Sequence, residues 1–120
     1  MRKSILVVED DRTIRKLISG FLDKINKFNV VGEAIDGQDG VEMAVRLKPD
    51  AVILDLVMPR MNGSVAAARI KEILPQAVIL VFSCHDQSIR KYVDGNIDAI
   101  VSKSEGLEKL ATELNRVLSK

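Results

Sequence analysis

Tryptophan is absent from these 120 residues, and the remaining aromatics are one Tyr and three Phe. That scarcity argues against a surface that binds nucleic acid by stacking bases on rings. Cysteine is almost as scarce. Cys84 alone rules out an internal disulfide and gives no metal-ligand spacing. Net charge is nearly absent as well, +1 from 18 Lys and Arg against 17 Asp and Glu, so bulk electrostatics predict neither direct nucleic-acid binding nor membrane binding. Long apolar runs are missing. Only four apolar residues follow Met1-Arg2-Lys3-Ser4 before charge resumes, too few for a signal peptide or a spanning helix. A cytoplasmic location is the resulting expectation. The loop glycines Gly37 and Gly40 are too irregular for a dinucleotide fingerprint.

What remains is a chain rich in Ile, Val, Leu and Ala, 47% apolar and 29% charged, ordinary values for a globular protein. Its length suits one domain, residues 1–120, burying about 65% of the unfolded surface around a single core. The aliphatic balance favours helices packed on a sheet.

Hydrophobic periodicity alternates along the chain. Residues 4–8 read as a short strand closing on Glu9-Asp10-Asp11. Ile14, Leu17, Ile18, Phe21, Leu22 and Ile25 follow at helical spacing, and the preceding acids suit a helix N-terminus by capping and by the dipole, with Asp11 as the cap. The nearby Arg12, Arg15, Lys16, Lys24 and Lys27 read as a solvated face. A turn at 26–29 leads to a weaker strand at 30–35. Asp36-Gly37 then opens a loop before a helix with Val41, Ala44, Val45 and Leu47 at or near its inner side, which Pro49 ends.

The third strand is the most informative stretch. Ala51-Val52-Ile53-Leu54 runs straight into Asp55, and Leu56-Val57-Met58-Pro59 follows, a continuous apolar run of the kind buried on both faces of a sheet. Ala66, Ala67, Ile70, Ile73 and Leu74 mark a third helix stopped by Pro75. Residues 77–82 form another apolar strand, ending in Ser83-Cys84-His85-Asp86. A short helix carries Ile89, Tyr92 and Val93. Residues 97–101 make a fifth strand, interrupted by Asp98 near its start and ending in Ser102-Lys103-Ser104. Leu107, Leu110, Ala111, Leu114, Val117 and Leu118 mark the last helix.

This alternation predicts an α/β fold, a doubly wound five-stranded parallel sheet with five helices on its two faces. Ligands of such sheets bind beyond the carboxyl ends of the strands, where strand order reverses. A flavodoxin-like order of 2-1-3-4-5 would bring Glu9, Asp10 and Asp55 to neighbouring tips at the reversal, with Ser83 and Lys103 at the next two. At an effective dielectric near 20, two like charges about 4 Å apart cost roughly 4 kcal/mol, so a pKa must rise or a cation must join the acids. Hard oxygen ligands favour Mg²⁺, which keeps several waters and takes one or two carboxylates plus a phosphate. Lys103 and Ser83 would then supply a point charge and a hydroxyl to an anion. Together these groups describe phosphoryl transfer onto Asp55.

The chain resembles the receiver domain of bacterial two-component response regulators over essentially its whole length. The resemblance is carried by Ile5-Leu6-Val7-Val8-Glu9-Asp10, Asp55 with Met58-Pro59 and Asn62-Gly63, Val81-Phe82-Ser83, and Val101-Ser102-Lys103. It implies a phosphoacceptor signalling module and not an enzyme acting on other molecules. Asp55 would take a phosphoryl group from a phosphohistidine on a sensor histidine kinase or phosphotransfer protein. Mg²⁺ would be bound directly by Asp10, Asp55 and the Val57 carbonyl, with Glu9 acting through water, while Ser83 and Lys103 contact the phosphoryl oxygens and are drawn inward. The fourth helix, fifth strand and fifth helix would form the output face, addressing a separate protein, a fused domain beyond Lys120 or a second copy in a phosphorylation-dependent homodimer.

Two departures stand out. Ile100 occupies the position three before the lysine where the family usually has an aromatic switch residue, and a branched aliphatic has no ring or hydroxyl to swing. Ser104 follows the lysine where many relatives have proline, which argues against a cis peptide there. Cys84 reads as a small hydrophobe and His85 as an exposed loop residue; Val57, two past Asp55, stands where it would hinder attacking water. Two other classes fit the architecture. An aspartyl-nucleophile phosphatase needs a second acid in an Asp-x-Asp pair, which Asp55-Leu56-Val57 lacks. A flavin-binding electron carrier needs aromatics and a hydroxyl-rich phosphate loop that this chain does not have.

Overall fold

Five short apolar runs become five parallel strands in a computed structural model that describes residues 2–58, 60–84 and 95–119. They are β1 (Lys3–Val8), β2 (Phe28–Ala34), β3 (Ala51–Leu54), β4 (Val78–Ser83) and β5 (Ala99–Ser102), in the order β2-β1-β3-β4-β5. Among the described residues three helices connect strands, α1 (Arg12–Asp23), α2 (Gly37–Leu47) and α3 (Gly63–Ile73), and a fourth, α4 (Leu107–Leu118), follows β5. The expected fourth helix with Ile89, Tyr92 and Val93, like His85 and Pro59, lies outside the described residues, so α4 is the last helix of the sequence pattern.

The two-residue period of each strand splits the core between the faces of the sheet. Leu6, Val8, Val52, Leu54, Ile79 and Val81 pack against Val41 and Ala44 of α2 and Ala66, Ala67 and Ile70 of α3. Their neighbours Ile5, Val7, Ile53, Leu80, Phe82 and Val101 face Ile18 and Leu22 of α1 and Leu110, Leu114 and Val117 of α4. Each fully buried aliphatic contributes roughly 1.5–3 kcal/mol relative to an exposed one. These central strands therefore hold their tips in place.

Three expected inward residues lie near the surface. Leu17, Val45 and Ile73 are 57%, 46% and 46% exposed. Leu17 and Val45 each sit one residue from a buried neighbour, Ile18 and Ala44, so at about 100° per residue they fall off the stripe facing the sheet. Ile73 keeps the spacing of Ala66 and Ile70 but is the last residue of α3, and Leu74 after it packs against the core instead. Ile35 is also exposed, because β2 ends at Ala34.

Local chemistry sets the boundaries. Asp11 caps α1 by accepting the Ile14 N–H at 3.0 Å. Lys48 ends α2 at φ 48°, its N–H closing on the Ala44 carbonyl ahead of Pro49. Asp98 explains the interruption in the fifth strand. Its carboxylate accepts the Ile79 N–H at 2.8 Å and the Lys71 ammonium at 3.0 Å, so a side chain meets the sheet edge before β5 begins.

Candidate functional site

β1 and β3 lie side by side, with Val8 opposite Leu54 in register and the Asp55 N–H reaching the Val8 carbonyl. Connections from these two strands run to opposite sides of the sheet, β1 toward β2 and β3 toward β4. Glu9 and Asp55, the first residues past each strand, therefore emerge together at the reversal. Both are buried, while Asp10 is exposed, and one carboxylate oxygen from each of the three lies within 4.8 Å of the others.

Asp55 is held on both oxygens. Oδ1 accepts the Ser83 hydroxyl at 2.8 Å and the Val57 N–H at 3.2 Å, and Oδ2 accepts the Lys103 ammonium at 2.9 Å. Ser83 comes from the tip of β4 and is fully buried. Its hydroxyl touches the carboxylate directly. Lys103 follows β5 and also contacts Glu9 Oε1 at 2.7 Å. The remaining Glu9 oxygen accepts the Asp11 N–H at 3.0 Å. Glu9 thus bonds directly to the lysine, a role its sequence position did not foretell.

Burial pushes the Glu9 carboxyl above its ordinary range, against the opposing pull of Lys103. Burial works to lower the Lys103 ammonium, but its hydrogen bonds to Glu9 and Asp55 outweigh that and hold it high. Lys103 is accordingly the fixed charge of the site. Three carboxylates against one ammonium sum to a formal −2, which a divalent cation would neutralise. An all-oxygen donor set with one exposed member fits a hard ion that retains water.

The loop after Asp55 is clamped from two sides. Asn62 caps α3 through the Val65 N–H at 3.0 Å, and the Gly63 N–H closes on the Leu56 carbonyl at 2.9 Å. A Cβ at Gly63 would collide with the Asp55 carbonyl, and one at Gly37 with the Met61 carbonyl, so both positions need glycine for close approach. Arg60, at φ 67°, forms a two-pronged ion pair with Asp36, 2.7 Å from Nε to Oδ2 and 3.0 Å from Nη2 to Oδ1. That guanidinium holds the Asp36 carboxyl below its ordinary range.

Sequence reasoning missed two of these anchors. Asp36 is the buried cap of α2, not the start of a loop, and it links the β2 and β3 tips through Arg60. The hint available was Asp36 three residues before Asp39, since each accepts a backbone N–H across the helix start at 2.8 and 3.1 Å. Arg15 was expected on a solvated face, yet its side chain is only 11% exposed. It donates to the Glu9 carbonyl at 2.9 Å and pairs with Glu33 at 3.2 Å, because one turn into α1 its side chain points back to the β1 tip. Ile100 is half-buried against the α2–α3 side of the core, opposite Val81 in register. Val57 is 61% exposed at the rim, and it occupies the place where an Asp-x-Asp phosphatase would have its second acid.

The model of the response regulator receiver domain matches residues 5–115. The chain is 34% identical to a protein-glutamate methylesterase/protein-glutamine glutaminase of Methanosarcina acetivorans, over 92% of this chain and 33% of that protein. It is 30% identical to the response regulator protein VraR of Staphylococcus aureus, over 97% of this chain and 56% of that one. It therefore spans between a third and somewhat over half of the length of these relatives. Its fold is similar to the response regulator domain of Thermotoga maritima CheB, with TM-score 0.85 and 26% identity over 99% of this chain and 95% of that one.

Proposed function

This chain belongs to the response regulator receiver family of two-component signalling, and on that footing we propose that Asp55 is its phosphoacceptor. The observation that carries the proposal is the bonding of Asp55, with Lys103 on one oxygen, Ser83 on the other, and Glu9 and Asp10 within reach of a shared cation.

The donor is a phosphohistidine on a sensor histidine kinase or phosphotransfer protein. A carboxylate oxygen of Asp55 forms the new O–P bond as the P–N bond breaks, and the leaving imidazole takes up a proton. Positioning and charge neutralisation dominate such a transfer. Lys103 and Ser83 pass from the carboxylate to the phosphoryl oxygens, supplying an ammonium and a hydroxyl to the growing negative charge. Asp10, Asp55 and the Val57 carbonyl would hold Mg²⁺, with Glu9 behind them through water. When bound, that ion neutralises the phosphoryl oxygens and holds them near the acceptor. The resulting acyl phosphate is lost by attack of water, with cleavage of the bond from phosphorus to the Asp55 oxygen.

The module works in the cytoplasm as a domain whose chemistry is confined to its own phosphorylation and dephosphorylation. Signalling follows from roughly two added negative charges, and reversing a 1:99 equilibrium to 99:1 takes about 5.5 kcal/mol of differential stabilisation. The output face includes β5 and α4 and addresses a downstream protein or fused domain. No nucleic acid or membrane contacts this domain directly. Among the described residues no helix is long and apolar enough to cross a membrane. Incubation with acetyl phosphate and Mg²⁺ should add one phosphoryl mass to the intact protein and none to Asp55→Asn; equal labelling of both would place the acceptor elsewhere.

A further inference from the structure

Lys103 has to cross from an edge strand to the tips of two central strands and place one ammonium 2.7 Å from Glu9 and 2.9 Å from Asp55. A four-carbon stem is flexible, so the backbone from which it departs must be fixed by something else. Sheet pairing ends at Ser102. Beyond it the chain makes a single 3-10 turn, Lys103–Glu105, an element whose own hydrogen-bond geometry is poor.

Side chains tie this turn shut from both ends. The Glu105 carboxylate accepts the Ser102 backbone N–H at 2.9 Å. In return the Ser102 hydroxyl accepts backbone N–H groups from inside the turn, that of Ser104 at 3.3 Å and that of Glu105. The hydroxyls of Ser102 and Ser104 are 2.8 Å apart. The Gly106 N–H closes on the Lys103 carbonyl at 3.2 Å, and Gly106 at φ 91° turns the chain into α4. Lys103 is thus the first residue of a turn whose preceding backbone N–H is held by its third residue.

We propose that the Ser102–Glu105 capping box is the positioning element for Lys103. Glu105 is exposed and acts through the Ser102 backbone, setting the direction in which the lysine stem leaves β5. Ser104 permits this arrangement, because its N–H is one of the donors that the Ser102 hydroxyl accepts, and a proline there would have none. The consequence for phosphorylation rests on the reading of Asp55 as acceptor; the consequence for the ammonium does not.

Two readouts in the intact chain test the proposal. In ¹H–¹⁵N spectra the Lys103 ammonium, held between two carboxylates, should give a resolved signal in the parent protein and in Glu105→Gln, whose amide oxygen still accepts the Ser102 N–H. The signal should be lost in Glu105→Ala. With acetyl phosphate and Mg²⁺, Glu105→Ala should slow labelling roughly tenfold, as a misplaced catalytic group does, while Glu105→Gln stays within about twofold of the parent. In a Lys103→Ala background Glu105→Ala should have no further effect. An unchanged ammonium signal in Glu105→Ala, or a Glu105→Gln protein as impaired as Glu105→Ala, would overturn the proposal. A parent protein that shows the signal but takes no label would support the positioning role and refute the acceptor reading instead.

Discussion

The Glu9 carboxylate and the Lys103 ammonium form an ion pair at 2.7 Å, their side chains only 3% and 14% exposed. Removing one partner of such a pair leaves an uncompensated charge away from water, at a cost of roughly 3 kcal/mol. Lys103→Met should therefore lower the unfolding free energy in urea by about that amount without Mg²⁺. Part of the loss should return when Glu9→Gln is added, since the second change removes the stranded charge. A Lys103→Met protein as stable as its parent would show that the pair has no structural role.

Asp10 differs from Glu9 in being exposed, so its replacement should leave folding nearly intact. Its loss removes a charged oxygen from the candidate cation site. Asp10→Ala should weaken Mg²⁺ binding by roughly tenfold or more, equivalent to about 1.4 kcal/mol, in a calorimetric titration. An unchanged titration would remove Asp10 from the ligand set.

The order of strands and the grouping of Glu9, Asp10, Asp55, Ser83 and Lys103 were legible because apolar runs and strand endings are local signals, and topology does the rest. Side-chain reach was not legible. Arg15 looked like one more basic residue on a helix face until its position one turn past the β1 tip brought it to the Glu9 carbonyl. Asp36 and Arg60 are 24 residues apart and meet only because the start of α2 packs on the loop after β3, at Gly37 and Met61. Leu17 and Val45 matched a helical spacing but lie one residue off the buried stripe, a distinction that periodicity does not resolve, and Ile73 fits the spacing yet is exposed at the end of α3.

The Asp36–Arg60 pair gives stability a defined pH dependence. The native Asp36 carboxyl lies below its ordinary value of 3.8, chiefly through its hydrogen bonds to Arg60. Its contribution is fully present above that value. As pH falls through it toward the native value, the unfolded chain takes up the proton first and the contribution is lost. Asp36→Asn keeps an oxygen for the Asp39 N–H but has no proton to bind, so its stability should fall less steeply with acid below the ordinary value. Parallel acid-denaturation curves would contradict this account of the pair.

Gly63→Ala sets two effects of opposite sign against each other. Alanine is favoured over glycine within a helix by about 1 kcal/mol, but the new Cβ would collide with the Asp55 carbonyl, a backbone atom that cannot turn aside. Overpacking of this kind costs about 1–3 kcal/mol, so the variant should be less stable and, because the loop shifts, should bind Mg²⁺ more weakly. A more stable protein with unaltered Mg²⁺ binding would show that the loop relaxes without disturbing Asp55.

The central claim is that Asp55 itself becomes an acyl phosphate. Borohydride reduction of the protein after exposure to acetyl phosphate and Mg²⁺ converts a phosphorylated aspartate to homoserine, which peptide mass spectrometry locates. The account predicts homoserine at position 55 and nowhere else, and none when Mg²⁺ is chelated beforehand. Unmodified Asp55 in protein that carries a phosphoryl group, or homoserine at another position, would contradict it.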